Sequence, residues 1–313
     1  MGSTGVACAG CTGAASAVRS RAGGAGAGGQ ASIVQRITYA TDTETATVRG
    51  PLDGVRYGQG ATSDLNYGWY AGGRIGDALS MVSRITYATD TNTASNRGPL
   101  SYSAYFIAAT GNTTYGWYAG GDGGPGSTVS RITYATDTAT GTSRGPLSST
   151  LGRMAATGTT TDGWFGGGYQ RIPSQIQLSR VSRIAYATDT DTPTVRGPLS
   201  LARERLAATG TPSYGWFAGG NEPGRFSRVD RIDYANDTTT ASVRGPLSQA
   251  RLGLAASTDS TTYGWFGGGY NSPSPGHKST VDRITYATDT STATVRGSLS
   301  SARSYLAASS GVQ

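Results

Sequence analysis

The residues able to do chemistry are few. Cys8-Ala9-Gly10-Cys11 forms a CxxC, a spacing used for dithiol redox or for half a zinc site. Redox pairs of this kind open a helix in an α/β fold, whereas this one lies in a glycine- and alanine-rich stretch. A zinc site needs about four ligands. The single histidine, His277, follows Cys11 by more than 260 residues. The pair therefore reads as a disulfide or an inert part of an arm. His277 sits beside Lys278 in the loop Ser272–Thr280 and reads as a solvated side chain. With one histidine and no motif to orient it, a Ser-His-Asp arrangement cannot be built.

Arginine dominates the remaining chemistry. Of 26 basic residues all but Lys278 are arginine, a choice that favours planar, directed hydrogen bonding over diffuse charge. Two arginine series recur: Arg36, Arg84, Arg131, Arg183, Arg231 and Arg283, then Arg49, Arg97, Arg144, Arg196, Arg244 and Arg296. One aspartate accompanies each pair: Asp42, Asp90, Asp137, Asp189, Asp237 and Asp289. These twelve arginines and six aspartates account for six of the seven net positive charges. The basicity is thus architectural, which argues against nucleic acid as partner. The guanidiniums are expected to bond the aspartates and loop carbonyls. The alternative is a ring of cations around a channel that captures an anion or a phosphate chain. Evenly spread carboxylates make neither a glycosidase pair, unless they converge on an axis, nor a calcium site. No catalytic residue, metal or cofactor is expected, and the chain is read as a non-enzyme.

The elements that hold these residues are repeats. The 313-residue chain has 48 glycines, 36% hydrophobic and 14% charged residues. Glycine lacks the collagen period, and no apolar run reaches the length of a membrane span. The string RITYATDT and its variants recur at steps of 48, 47, 52, 48 and 52 residues. RGPL or a variant follows at a constant offset of 13. A YGW(F/Y)(A/G)GG segment then carries Trp69, Trp117, Trp164, Trp216 and Trp265, which are all five tryptophans. The distance from each tryptophan to the next RI pair varies from 14 to 19 residues. Rigid segments therefore alternate with one variable loop per repeat. Each unit predicts four short strands: LAATG, YGWFAGG, VSRITYAT and the stretch before RGPL. No sustained helical period is present.

A unit of about 50 residues has the period of a kelch blade. In one copy the order is a strand near Arg203 and Leu206, then Gly219-Gly220, a loop, Val229-Asp230-Arg231-Ile232-Asp233-Tyr234, a turn, and a last strand into Pro246-Leu247. On these residues, over about residues 20–313, the chain resembles the kelch-like β-propeller repeat family. The family's tryptophan late in the unit is missing, and RGPL stands there instead. The copper chemistry found on one similar propeller needs histidine ligands that this chain lacks. Six RI/RG pairs but five GW strands imply six blades, one of them split. Leu306–Gly311 would give its inner strand, and the N-terminal segment around Ala22-Gly23-Gly24 the others. The expected architecture is all-β: a six-bladed propeller over 20–313, closed by shared terminal strands, behind a Gly/Ala-rich arm at 1–19. The first full blade departs from the pattern, with Gly58-Gln59-Gly60 where the next has Phe106-Ile107-Ala108. It is expected to be looser, or to dock against something else.

The variable loops are the functional candidates. All follow a glycine pair, so all should emerge on one face. Within them Tyr169, Arg171, Arg225, Phe226, Tyr270 and Lys278 have the side chains of contact anchors. The repeat style is also similar to that of structural proteins of tailed bacteriophages, marine and cyanobacterial ones especially. That resemblance implies a virion surface protein on capsid or tail, joined to other virion proteins through residues 1–19, with no membrane partner. A glycan-binding adhesin using the variable loops and a cellular kelch-like interaction scaffold stand as alternatives.

Overall fold

The computed structural model describes residues 31–172, 175–272 and 276–310. The expected arm at 1–19, Cys8, Cys11 and Ala22-Gly23-Gly24 lie outside them.

The repeated segments fold as all-β, propeller-like units. Five four-stranded antiparallel sheets follow one another along the chain. The second is representative: an inner strand Ala108–Gly111, a tryptophan strand Tyr115–Ala119, an arginine strand Val129–Thr133 and an outer strand Thr142–Arg144. Each strand pairs with the next in sequence, as Trp117 opposite Thr110 on one side and Arg131 on the other. Ahead of these sheets, Val34–Arg36 pairs with Thr47–Arg49 as an arginine strand with its outer strand. The first full unit keeps the common register, with Gly60 opposite Ala71 and Thr62 opposite Trp69. Its sequence departure at Gln59 therefore does not loosen the sheet.

Two segments differ from the sequence expectation: Leu306–Gly311, expected as an inner strand, has no strand among its described residues 306–310, and the RITYAT segment is interrupted. The arginine strand stops before the tyrosine of RITYAT, and Tyr-Ala-Thr, or Tyr-Ala-Asn in the fifth copy, forms one 3₁₀ turn in all six copies, from Tyr39–Thr41 to Tyr286–Thr288. The aspartate that ends each turn thereby leaves the sheet and faces the preceding unit. In five copies the tyrosine swings with it and stacks on that unit's indole, Tyr134 on Trp69 and Tyr186 on Trp117 with ring centroids 3.9 Å apart.

The core consequently lies between neighbouring sheets. Trp69, Val82 and Leu100 pack with Ile107, Tyr118, Ile132 and Tyr134 of the next unit. The N-terminal strand pair takes part in two such layers. Ile37 and Ala46 pack with Trp265, Val281 and Leu299, while Val34 and Leu52 pack with Tyr70 and Ile85. The tryptophan strand is buried on both faces, which is why its sequence is continuous Gly, Trp and Tyr or Phe instead of alternating.

Two glycine positions fix how closely units meet. In the RG dipeptide, Gly245 donates its N–H to the Asp289 carbonyl, and a Cβ there would fall inside the Ser291 carbonyl oxygen. The same approach recurs from Gly98 to the Asp137 turn and from Gly297 to the Asp42 turn. Both glycines after each tryptophan strand have positive φ, as at Gly219 (70°) and Gly220 (100°), and turn the chain outward into the variable loop.

Candidate functional site

The repeated arginines, aspartates and tryptophans converge between units. The Asp189 carboxylate accepts from the Trp117 indole N–H at 2.8 Å and from Arg131 at 2.9 Å, with the Arg144 Nε 3.4 Å away. All three belong to the preceding unit. Asp137, Asp237 and Asp289 collect the equivalent trio. Asp42 does the same for Trp265, Arg283 and Arg296, which lie more than 220 residues away in sequence. Asp90 takes Arg36 and Arg49. Each carboxylate is nearly buried and held by two cations, a self-consistent arrangement for keeping a charge out of water. The sequence expectation of arginine–aspartate pairing holds. The six aspartates sit in separate clusters, so they form no catalytic pair. The guanidiniums also lie over tyrosine rings, Arg131 over Tyr115 at 4.3 Å. In the third unit Asp162 replaces that tyrosine and makes a 3.7 Å ion pair with Arg183.

A second polar layer sits within the units. Arg203 and Arg251, fully buried, pair with the buried Asp230 and Asp282 at 2.8 and 2.6 Å. Burial pulls both guanidiniums below their usual pKa, and the facing carboxylate opposes the shift. At the same positions the second unit has Ala104 with Ser130, and the third Leu151 with Ser182. In the first unit the arginine stays, as buried Arg56, but faces Ser83 and takes its carboxylate from Asp53, three residues before it.

Six inner segments surround a cavity of about 570 Å³. Its walls carry the alanine pairs, such as Ala108-Ala109 and Ala207-Ala208, with threonine and serine hydroxyls. None of the twelve repeat arginines lines it, so the cation ring around a channel is corrected: those charges are consumed by the aspartates between units.

At one end of this cavity the chain does something the sequence reading missed. The residue two before each Ala-Ala pair, or its equivalent, is Gly58, Phe106, Arg153, Arg205, Gly253 or Tyr305, and every one has φ between 55° and 70°. Their backbones bond in sequence. Phe106 N–H donates to Gly58, Arg153 to Phe106, Arg205 to Arg153, Gly253 to Arg205, Tyr305 to Gly253 and Gly58 to Tyr305. The last bond returns to the first residue. Four large side chains in a left-handed conformation, where two sister positions use glycine, store strain of the kind kept at functional sites. The signal was present in the repeats: this column changes between glycine, aromatic and arginine, while the Ala-Ala pair two residues on is kept in all but the first of these units.

The four side chains meet. Phe106 and Tyr305 rings are 5.1 Å apart, and the Arg153 and Arg205 guanidiniums each lie 5.9 Å from Phe106. Arg153 is bonded to Asp122 (2.8 Å) and Glu204 (2.9 Å), both nearly buried. Together they hold it protonated above the usual arginine range, against the opposing effect of burial.

The variable loops come to this same end. Isolated bridges tie Tyr105 to Asp122, Glu204 to Asn221 and Leu252 to Tyr270. Of the predicted contact residues, Tyr169 lies under Arg153 at 5.0 Å, and Arg225 over Tyr270 at 5.2 Å. Arg171 reaches the Gly124 carbonyl of the neighbouring loop. Lys278 pairs by backbone with Arg303, and the Phe226 N–H bonds Gly220. All six are half-buried. His277 is not simply solvated: its Nδ1 lies 3.0 Å from the Ser304 hydroxyl and its ring against Tyr270.

Among the described residues no group of three or more His, Cys, Asp or Glu could hold a metal ion, and no helix is long and apolar enough to cross a membrane. No protein-family model matches the chain, and no curated protein does.

Proposed function

We propose that this chain is a non-catalytic display protein: a six-bladed, kelch-like β-propeller whose sixth blade is shared by the two ends of the repeat array. The cycle of backbone bonds from Gly58 through Tyr305 and back supports six blades and closure. So does Asp42, which gathers Trp265, Arg283 and Arg296 as the internal aspartates gather theirs.

One observation carries the functional reading. The consensus polar residues are spent on contacts between units, and the loops of most variable length lie at one end, together with the Phe106–Arg153–Arg205–Tyr305 group. A rigid, repetitive body with one individual face suits presentation of that face to a partner. Combined with the resemblance of the repeats to tailed-phage structural proteins, this favours a place on a virion surface, with residues 1–19 anchoring the propeller to other virion proteins.

The test is to trace the protein in purified particles by mass spectrometry and to delete residues 1–19. The reading expects a stoichiometric particle component that the deletion releases while the propeller stays folded. Absence from particles, or unchanged incorporation without the arm, would contradict it.

A further inference from the structure

Gln59 is the chemical exception at the loop-face mouth of the axial cavity. The residue that follows each left-handed position is Ile107, Met154, Leu206, Leu254 or Leu306 in five units and Gln59 in the sixth. These six residues form a collar around a small cavity of about 70 Å³, topped by Phe106, Arg153, Arg205 and Tyr305. Gln59 is 5% exposed, and neither its Oε1 nor its Nε2 has a hydrogen-bond partner. It lies on the wall of both the small cavity and the axial one. Leaving a buried amide unsatisfied opposes folding by about 1–3 kcal/mol per orphaned group. An apolar residue would avoid that penalty, and the chain uses one in the five sister positions.

The collar states what would satisfy it. A primary amide carries N–H donors and a carbonyl acceptor, so it can donate to the carbonyl of a ligand amide or accept from that amide's N–H. The other five walls are aliphatic and suit a methyl group. Above them stand two aromatic rings and two guanidiniums, which match the C–H face and the hydroxyls of a sugar ring. We propose that this mouth binds an N-acetylated saccharide. The acetamido group enters the collar against Gln59, and its pyranose ring rests on Phe106 and Tyr305 with Arg153 and Arg205 beside it. Arg153, fixed by Asp122 and Glu204, is already oriented for that contact. The two sister glycines make room: a Cβ on Gly58 would strike the Phe106 ring, and one on Gly253 the Tyr305 ring. This site is argued without reference to a virion and stands or falls separately from the anchoring role.

The test is ligand-observed NMR and calorimetry with N-acetylglucosamine and its short β-linked oligomers, glucosamine and glucose as controls, and an acetyl-lysine peptide as competitor. The full chain is expected to bind the N-acetylated sugars at least about tenfold more tightly than the controls. Gln59→Leu installs the residue of three sister units, so it should fold with equal or greater stability and lose that preference. Phe106→Gly, which also copies a sister position, should weaken binding while relieving backbone strain. Equal binding of glucose, no binding by any sugar, or an unchanged preference in Gln59→Leu would overturn the proposal. Tighter binding of the acetyl-lysine peptide would assign the mouth to acetylated protein and overturn it too.

Discussion

At the residue scale, two units each bury a matched pair of charges. Arg203 with Asp230 and Arg251 with Asp282 are fully desolvated pairs, yet the second and third units fill the same space with Ala104/Ser130 and Leu151/Ser182. A buried pair is close to neutral against such a replacement, whereas half of one is costly. Arg203→Leu alone should therefore destabilise by about 3–5 kcal/mol, because Asp230 is left buried and uncompensated. Adding Asp230→Ser should recover most of that loss in urea unfolding. A double variant as unstable as the single would contradict the account. The repeated aspartates were legible in the sequence as turn residues bonded by arginines. What could not be read was that each serves the preceding unit, because the partner is chosen by the stacking of sheets. Gln59 was visible only as a break in pattern, since an unsatisfied amide exists only once its surroundings are known.

Strands and turns form the next scale. The four strands of the five four-stranded units were legible from the repeats, because each is bounded by a turn or a glycine pair, whereas Leu306–Ser310, expected to begin another inner strand, is not a strand. The 3₁₀ turn at Tyr-Ala-Thr was not legible, since alternation alone carries the strand through the tyrosine. Its consequence is a stacked Tyr–Trp pair at five junctions, and burial pushes the phenols of Tyr134, Tyr186, Tyr234 and Tyr286 well up. The folded state thus keeps protons that the unfolded chain gives up above about pH 10. Stability is whole below that pH and falls as pH rises beyond it. Tyrosinate absorbance should appear together with loss of far-UV dichroism above pH 10 for these residues; titration well before unfolding would contradict their burial. The RG glycine makes the companion prediction. Gly245→Ala should cost about 1–3 kcal/mol, since a backbone carbonyl occupies the methyl's place. The change Thr240→Ala, on an exposed turn, should be within about 0.5 kcal/mol of the parent in the same unfolding assay.

For the whole molecule the claim is cyclic equivalence. Six RG glycines donate to six aspartate carbonyls: Gly50, Gly98, Gly145, Gly197 and Gly245 to the units ahead, and Gly297 back to Asp42. The repeat count made six RI/RG pairs legible. Closure was only an inference from the missing GW strand, because sequence order says nothing of whether the last unit meets the first. The decisive measurement is native-state hydrogen exchange at these six amides. A closed propeller predicts that Gly297 exchanges as slowly as its five counterparts, within about a factor of ten, since all open only when the ring does. Exchange of Gly297 at the rate of an exposed loop, with the other five protected, would mean that the ends lie apart and that the ring does not close.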